Sequence, residues 1–190
     1  MGDMLTLIEK ATENMDQDKT DKLGKKLQRN AADLNLEDFL EQFRTTVFRQ
    51  TMFAEFELIA HTMAEQGQPL TRESLSKAYY ELNQKYYGAV CTVDENIANE
   101  WMRIPHFYRS YYVYVYATGL CAAVSLSDKI LSEGESAVRD YRKFLSAGCA
   151  VPPIDALKLA GIDMSSPEPI RRALGVFKDT LAQFKAVIMA

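Results

Sequence analysis

The chain has 190 residues, of which 47% are hydrophobic and 25% are charged, enough apolar material for a core in one domain or in two small ones. Its 22 basic and 26 acidic residues give a net charge of −4, which argues against nonspecific binding to nucleic acid. Charged residues interrupt the apolar start and no apolar run reaches membrane-spanning length, so we expect a soluble protein with no signal peptide and no membrane partner.

The chain is predicted to contain a long first helix in its N-terminal third. Apolar residues from Leu36 to Met63 recur mostly at steps of three and four, the period of one face of an amphipathic helix. Asn35 suits the N-cap, and Gly67 suits the end of the helix. We expect the apolar stripe to run without interruption through Phe39, Leu40, Phe43, Val47 and Phe48.

The next elements are also predicted to be helices. One begins after Thr71 and ends at Gly88, and another covers Asp94 to Met102 and stops before Pro105. From Tyr108 to Leu131 the apolar residues are nearly continuous, which predicts a helix that is buried on most sides.

The C-terminal third is predicted to form three more helices. Their sequences are "ESAVRDYRKFLSAG", "PIDALKLAG" and "PEPIRRALGVFKDTLAQFKAVIM", separated by glycines and prolines. No part of the chain alternates convincingly with a period of two, the period of a strand. The predicted fold class is therefore all-α, a multi-helix array.

The three cysteines are Cys91, Cys121 and Cys149, and no CxxC pair is present. This spacing indicates neither a disulfide framework nor a cysteine zinc site. We interpret the cysteines as small core residues in a reducing compartment, and expect the protein to be cytoplasmic.

Residues that could support catalysis are few. His61 and His106 are the only histidines, so the HExxH pair that binds zinc from one helical face cannot be formed. A zinc held by Glu57, His61 and Glu65 is geometrically conceivable, but carboxylates at this spacing are usually solvated charge on an exposed helix face. The sequence has no GxSxG elbow and no phosphate loop. We expect no metal site and no stoichiometric zinc in this chain, which looks catalytically incomplete.

The stretch "RIPHFYRSYYVYVYATG", residues 103–119, combines five tyrosines with His106. Tyrosines in such a stretch are commonly core aromatics whose hydroxyls bond to backbone or water, and the residues alone favour this interpretation. If the stretch is helical, Tyr108, Tyr111 and Tyr112 share one face and Tyr116 points elsewhere, with Tyr114 overlapping the face through Tyr111.

Residues 43–190 resemble the C-terminal helical region of oligoendopeptidase F, a zinc metallopeptidase family related to thimet oligopeptidase. The matching motifs are "FRTTVFRQTMFAEFE", "YYG", "IPHFYRSYYVYVYATG" and "GIDMSSPEPI". The resemblance implies many helices lining a deep channel, with zinc bound by an HExxH helix and a later glutamate. Those elements would lie upstream of residue 43 and are missing here.

The resemblance also implies a role for the tyrosine-rich stretch. In the family the corresponding segment faces the zinc across the channel, and its histidine and tyrosines donate hydrogen bonds to the peptide substrate and to the developing oxyanion. His106, Tyr108, Tyr111 and Tyr114 are therefore the candidate substrate-binding residues. No catalytic residue and no metal ligand is expected in the chain alone, and zinc is the cofactor only of the full-length family.

Residues 1–42 resemble a different family, the GTPase subunit of the signal recognition particle. The segment "MGD" resembles the turn that closes its GTPase domain, "LTLIEKA" the helix that follows, and "DFLEQ" the first helix of its methionine-rich domain. The phosphate loop, the methionine-rich groove and the RNA-binding motif are absent, so the resemblance implies no binding of GTP, RNA or signal peptide. We expect a chimera of segments 1–42 and 43–190, natural or engineered, with the long helix spanning the junction.

The sequence is compatible with two functions. The chain is either the non-catalytic, substrate-side part of an oligoendopeptidase F type metallopeptidase, or an all-helical fusion without biological activity. In the fusion, the first two helices would cap apolar surface that the missing peptidase region once covered. A peptidase fragment would instead leave part of the Tyr108–Leu131 helix or of the Phe43–Met63 stripe uncovered, and such patches tend to find a partner, so a homodimer is expected.

Overall fold

The computed structural model describes residues 35–88 and 91–189. Every regular element in these two ranges is helical and none is a strand, which confirms the all-α fold class. Among the same residues no helix combines the length and the apolar composition needed to cross a membrane. Most of segment 1–42, with its predicted features, lies outside the described residues.

The described helices follow one another through short connections. In chain order they are α1 (35–43), a π-helical segment (Arg44–Phe48), α2 (Arg49–Glu65), α3 (Arg72–Tyr87), two 3₁₀ helices (Glu95–Arg103 and Pro105–Tyr108), α4 (Tyr114–Glu133), α5 (Glu135–Ala147), α6 (Pro153–Leu159) and α7 (Glu168–Ile188).

The long first helix exists, and residues 35–65 are continuously helical across position 43. Phe39, Phe43, Val47 and Phe48 all pack in one apolar cluster, as the stripe predicts, but the helix that carries them is not regular, because Arg44–Phe48 is a π helix. In an α-helix two residues five apart point about 140° away from each other, so Phe43 and Phe48 would face different neighbours. The wider turn lets both rings contact Phe177 of α7, at centroid distances of 4.7 and 5.5 Å.

Helix α3 begins and ends where its sequence predicts. The Thr71 hydroxyl accepts a hydrogen bond from the Ser74 N–H, and the Ser74 hydroxyl accepts one from the Thr71 N–H, which forms a reciprocal capping box. At the other end, a Cβ on Gly88 would lie 2.5 Å from the carbonyl oxygen of Gln84, so only glycine fits without a shift.

Helix α4 begins at Tyr114, six residues later than predicted, because the backbone turns sharply before it. Tyr111 has a φ of 56°, a left-handed conformation that interrupts helical hydrogen bonding. The middle of α4 is buried, whereas Leu131 near its end is exposed. Cys121 lies in this buried part as expected, but Cys91 and Cys149 are exposed, so their assignment to the core is wrong.

The core consists of three apolar clusters. The first joins α2, α3 and the segment around the 3₁₀ helices, the second joins the π-helical segment to α4 and α7, and the third joins α4 to α6 and the loop after it. Their buried members are Met52, Phe53, Phe56, Tyr79, Leu82, Ile104 and Val113; Phe43, Val47, Cys121, Val124 and Ala173; and Ala122, Leu126, Ala160 and Ile162.

A buried carboxylate ties the first 3₁₀ helix to α2 and α3. Glu100 Oε2 accepts a 2.8 Å hydrogen bond from the Tyr79 hydroxyl, and its Oε1 accepts hydrogen bonds from Arg49 and Arg103. Burial alone would raise the pKa of Glu100, but the bonds from Tyr79 and Arg49 and the two guanidinium charges outweigh it and lower the pKa below its ordinary value. Glu100 is therefore an ionised anchor for the chain that leads to His106.

Replacing Phe43 with alanine should lower the free energy of unfolding by about 3 to 5 kcal/mol, because its fully buried ring leaves a cavity between three other rings. Urea denaturation followed by circular dichroism measures this change. The exposed Leu131→Ala serves as the control and should stay within about 0.5 kcal/mol of the parent. Equal effects of the two substitutions would contradict the packing described.

Glu100→Gln should reduce the loss of unfolding free energy that the protein shows as the pH is lowered. Because the folded-state pKa of Glu100 lies below its ordinary value of 4.5, its stabilising contribution is present above pH 4.5 and is lost as the pH falls towards the lower folded-state pKa. Urea denaturation at several pH values between 7 and 3 should show a smaller loss in Glu100→Gln than in the parent. The control is Glu95→Gln, at an exposed position of the same 3₁₀ helix. This variant should lose as much unfolding free energy between pH 7 and 3 as the parent does.

Candidate functional site

The tyrosine-rich stretch forms a loop whose two ends are fixed in the core. Ile104 and Val113 are both buried in the first apolar cluster, and residues 105–112 lie between them. Within the loop, the ring of Phe107 packs on Phe53 and Phe56, with centroids 5.4 and 5.2 Å apart. Neighbouring side chains of a 3₁₀ helix point about 120° apart. Because Phe107 points into the core, the side chain of His106 points to one side of it and is half-buried.

His106 packs with two tyrosines, and we call these three residues the His106 cluster. Its ring is parallel to Tyr112, with centroids 6.2 Å apart, and meets Tyr116 edge to face at 5.7 Å. Tyr112 and Tyr116 also meet edge to face, at 5.4 Å. All three side chains are half-buried, so each is positioned by its neighbours and still reachable from solvent.

The two tyrosine hydroxyls of the His106 cluster form a hydrogen bond with each other. The Tyr116 hydroxyl donates to the Tyr112 hydroxyl at 3.4 Å, and this hydrogen bond raises the pKa of Tyr116 above its ordinary value, with a smaller contribution from desolvation. Because Tyr112 accepts this bond, its own hydroxyl hydrogen is left for another acceptor. The guanidinium of Arg109 lies 4.6 Å from the centre of the Tyr112 ring and adds positive charge beside it.

Tyr111 lies apart from the His106 cluster and contacts α2 instead. Its backbone N–H donates to Glu57 Oε1 at 3.0 Å, and its ring stacks on His61 with centroids 4.5 Å apart. A left-handed backbone costs a residue with a Cβ about 1 to 2 kcal/mol, so these contacts hold a strained turn in place.

The expectation that Glu57 is solvated charge on an exposed helix face is wrong. Its side chain is buried, with only 4% of its surface exposed. Oε2 has no hydrogen-bond partner among the described residues, whereas Oε1 accepts the bond from Tyr111. The sequence pattern predicted a helix at Tyr111, and therefore did not predict a turn that covers the Glu57 carboxylate.

The residues present do not fit a zinc ion. In ranges 35–88 and 91–189 no three His, Cys, Asp or Glu side chains converge as metal ligands would. Of the conceivable set on α2, Glu57 bonds to Tyr111, His61 stacks on the same residue, and Glu65 is exposed.

The four predicted substrate-binding residues occupy three different places. His106 belongs to the His106 cluster and Tyr111 contacts α2, while Tyr108 and Tyr114 are exposed and stack on no other ring in the described part of the chain. The tyrosines that do contact His106 were not singled out from the sequence.

The expectation that Tyr116 points away from Tyr112 is wrong, because the two rings are in contact. Their separation of four residues was a usable signal, since side chains four apart on a helix are neighbours. A helix through both residues would already have placed the two rings side by side, so the sequence pattern was sufficient to predict this contact.

Comparison with known proteins agrees with the resemblance stated for residues 43–190. The model of peptidase family M3 matches residues 6–176. Oligopeptidase PepF of Bacillus subtilis is 54% identical over 154 residues, which are 81% of this chain and 23% of that protein. An oligoendopeptidase F homolog of Borreliella burgdorferi is 40% identical over 148 residues, 78% of this chain and 25% of that protein.

The fold is shared as well. The crystal structure of oligoendopeptidase-F from Enterococcus faecium matches with a TM-score of 0.81 at 39% identity, over 95% of this chain and 32% of that one. The chain thus spans about a quarter of the length of the curated relatives it matches. With a family match over most of its length and these identities, the chain belongs to peptidase family M3.

Proposed function

We propose that this chain forms the substrate-side wall of the peptide channel in an oligoendopeptidase F type metallopeptidase. The observation that carries the proposal is the His106 cluster, a set of half-buried hydrogen-bond donors fixed between a 3₁₀ helix and the start of α4. Several relatives that share this part of the chain are named oligoendopeptidase F or homologs of it. The zinc ligands would come from another region of the full-length peptidase, outside the residues of this chain.

The His106 cluster suits the binding of a peptide carbonyl. An imidazole N–H and the free hydroxyl hydrogen of Tyr112 can both donate to one oxygen, and Arg109 favours negative charge on it. Donors that are already in place stabilise an oxygen that gains charge during a reaction without having to reorganise. The wall would therefore bind and orient the scissile carbonyl and stabilise its oxyanion.

The remaining candidates would contact the peptide further out. The side chains of Tyr108 and Tyr114 are exposed and amphipathic, which suits contact with a peptide backbone and its side chains. The resemblance of residues 1–42 to the signal recognition particle subunit stays a prediction, and the proposed function does not depend on it.

The test is to graft residues 43–189 of this chain into PepF of Bacillus subtilis in place of the matching segment, and to measure hydrolysis of an internally quenched peptide. We expect the graft to be active and His106→Ala to lower kcat about 10²- to 10³-fold, the usual effect of losing one oxyanion donor. Tyr112→Phe should also lower kcat. Its matched control is Tyr141→Phe, a half-buried tyrosine on α5 that stacks on Phe144, and this variant should keep the parental kcat.

Two results would go against the proposal. Full turnover in His106→Ala and Tyr112→Phe would exclude the His106 cluster from the reaction. A folded graft without any turnover, even with zinc supplied, would favour the alternative of an all-helical fusion without biological activity.

Homodimerisation is a second prediction for the chain on its own. An apolar groove between α1, α4 and α7 is open to solvent and is lined by Phe39, Leu120, Val124 and Val176 among others. Exposed apolar surface favours association, so light scattering at high protein concentration should give about twice the 21.5 kDa of one chain. A mass of 21.5 kDa at all concentrations would contradict it.

A further inference from the structure

The turn at Tyr111 is the one place in the described chain where a residue other than glycine has a positive φ. A bulky aromatic residue is a clear outlier in this conformation, and such outliers persist only where the surroundings impose them. Neither glycine nor asparagine, the residues that usually occupy such turns, stands between Ile104 and Val113. The conformation is therefore imposed by contacts outside the loop.

Those contacts come from one face of α2. Glu57 accepts the hydrogen bond from the Tyr111 N–H, and His61, four residues further along the same helix, stacks on the Tyr111 ring. Residues four apart on a helix are neighbours, so the two side chains hold the backbone and the ring of the same residue from adjacent positions.

Glu57 is poorly explained as a source of stability. A buried carboxylate is costly unless its oxygens are hydrogen-bonded or paired with a cation. Glu100 shows the compensated case, with both oxygens bonded and two arginines in contact. Glu57, by contrast, has Oε2 without a hydrogen-bond partner in the described residues and a single bond, to Tyr111, at Oε1.

The direction of Tyr112 depends on the turn that precedes it. Tyr112 follows the turn at Tyr111 directly, precedes Val113, which is buried in the core, and packs on His106. The backbone at position 111 therefore sets the path by which the chain from His106 returns to Tyr112. A regular backbone at Tyr111 would continue a helix, as the sequence predicted, and would turn the Tyr112 ring to another side.

We infer that Glu57 is a positioning residue, which holds Tyr111 in its left-handed turn and thereby sets Tyr112 against His106. The effect on the reaction rests on the proposed function of the His106 cluster. The effect on the turn itself does not, so the two can be measured separately.

The first measurement is amide hydrogen exchange by NMR on the full chain. Glu57→Ala should speed exchange at the Tyr111 amide by at least about tenfold, because the amide loses its hydrogen-bond acceptor. Glu57→Gln keeps an acceptor oxygen and should stay within about threefold of the parent. Glu65→Ala, which removes an exposed carboxylate two turns further along α2, should leave the Tyr111 amide unchanged.

A second pair of variants covers the case in which Glu57→Ala unfolds. Glycine adopts a positive φ without steric cost, so Tyr111→Gly should hold the turn with less help from Glu57. Glu57→Ala in the Tyr111→Gly background should then fold and keep the nuclear Overhauser contacts between the His106 and Tyr112 rings. Unfolding in this background too would show that Glu57 acts in general packing, and would overturn the inference.

The second measurement is turnover in the PepF graft. Glu57→Ala should lower kcat about tenfold, because the hydrogen bond to the Tyr111 N–H is lost, and should leave KM nearly unchanged, because the peptide-binding surface is kept. Glu57→Gln, which keeps an acceptor oxygen, should have a kcat close to that of the parent. Unchanged Tyr111 exchange in a folded Glu57→Ala chain would overturn the inference. Faster exchange with unchanged kcat would support the inference for the turn and would contradict the proposed function of the His106 cluster.

Discussion

The hydrogen bond between the Tyr111 N–H and Glu57 determines how the tyrosine-rich loop is arranged. It fixes a left-handed turn that ends the loop and lets α4 begin at Tyr114. From that start, Tyr116 lies one helical turn from Tyr112, and both rings reach His106. The contacts that Glu57 and His61 make with Tyr111 thus accompany an arrangement in which Tyr112 and Tyr116 lie beside His106, while Tyr108 and Tyr114 stay exposed.

The first half of helix α2 supports the site at several points. Near its start Arg49 pairs with Glu100, which anchors the 3₁₀ helix that leads to His106. Further along, Phe53 and Phe56 hold Phe107, and Glu57 holds Tyr111. These contacts occur on successive turns of one helix, so the loop is fixed to a rigid element at several points. Such a scaffold keeps hydrogen-bond donors in place without reorganisation, as transition-state stabilisation requires.

The parts of the fold that the sequence predicted are those that local chemistry determines. Thr71 and Gly88 bound α3 because a cap and a glycine act within a few residues. The burial of Phe43 followed from its apolar period. Three features could not be predicted, because each depends on a partner far along the chain. The π-helical segment depends on Phe177. The turn at Tyr111 and the burial of Glu57 depend on the contact between these two residues. At the site, His106 was found and its partners were not, although the four-residue spacing of the two partner tyrosines predicts their contact.

We propose that the His106 cluster binds the carbonyl oxygen of a peptide. The most direct measurement is a crystal structure of the PepF graft with an uncleaved peptide analogue bound. We expect a substrate carbonyl or its tetrahedral mimic within about 2.7 to 3.1 Å of the His106 imidazole nitrogen and the Tyr112 hydroxyl. An analogue bound with its reacting carbonyl away from both residues would show that the His106 cluster does not bind this oxygen.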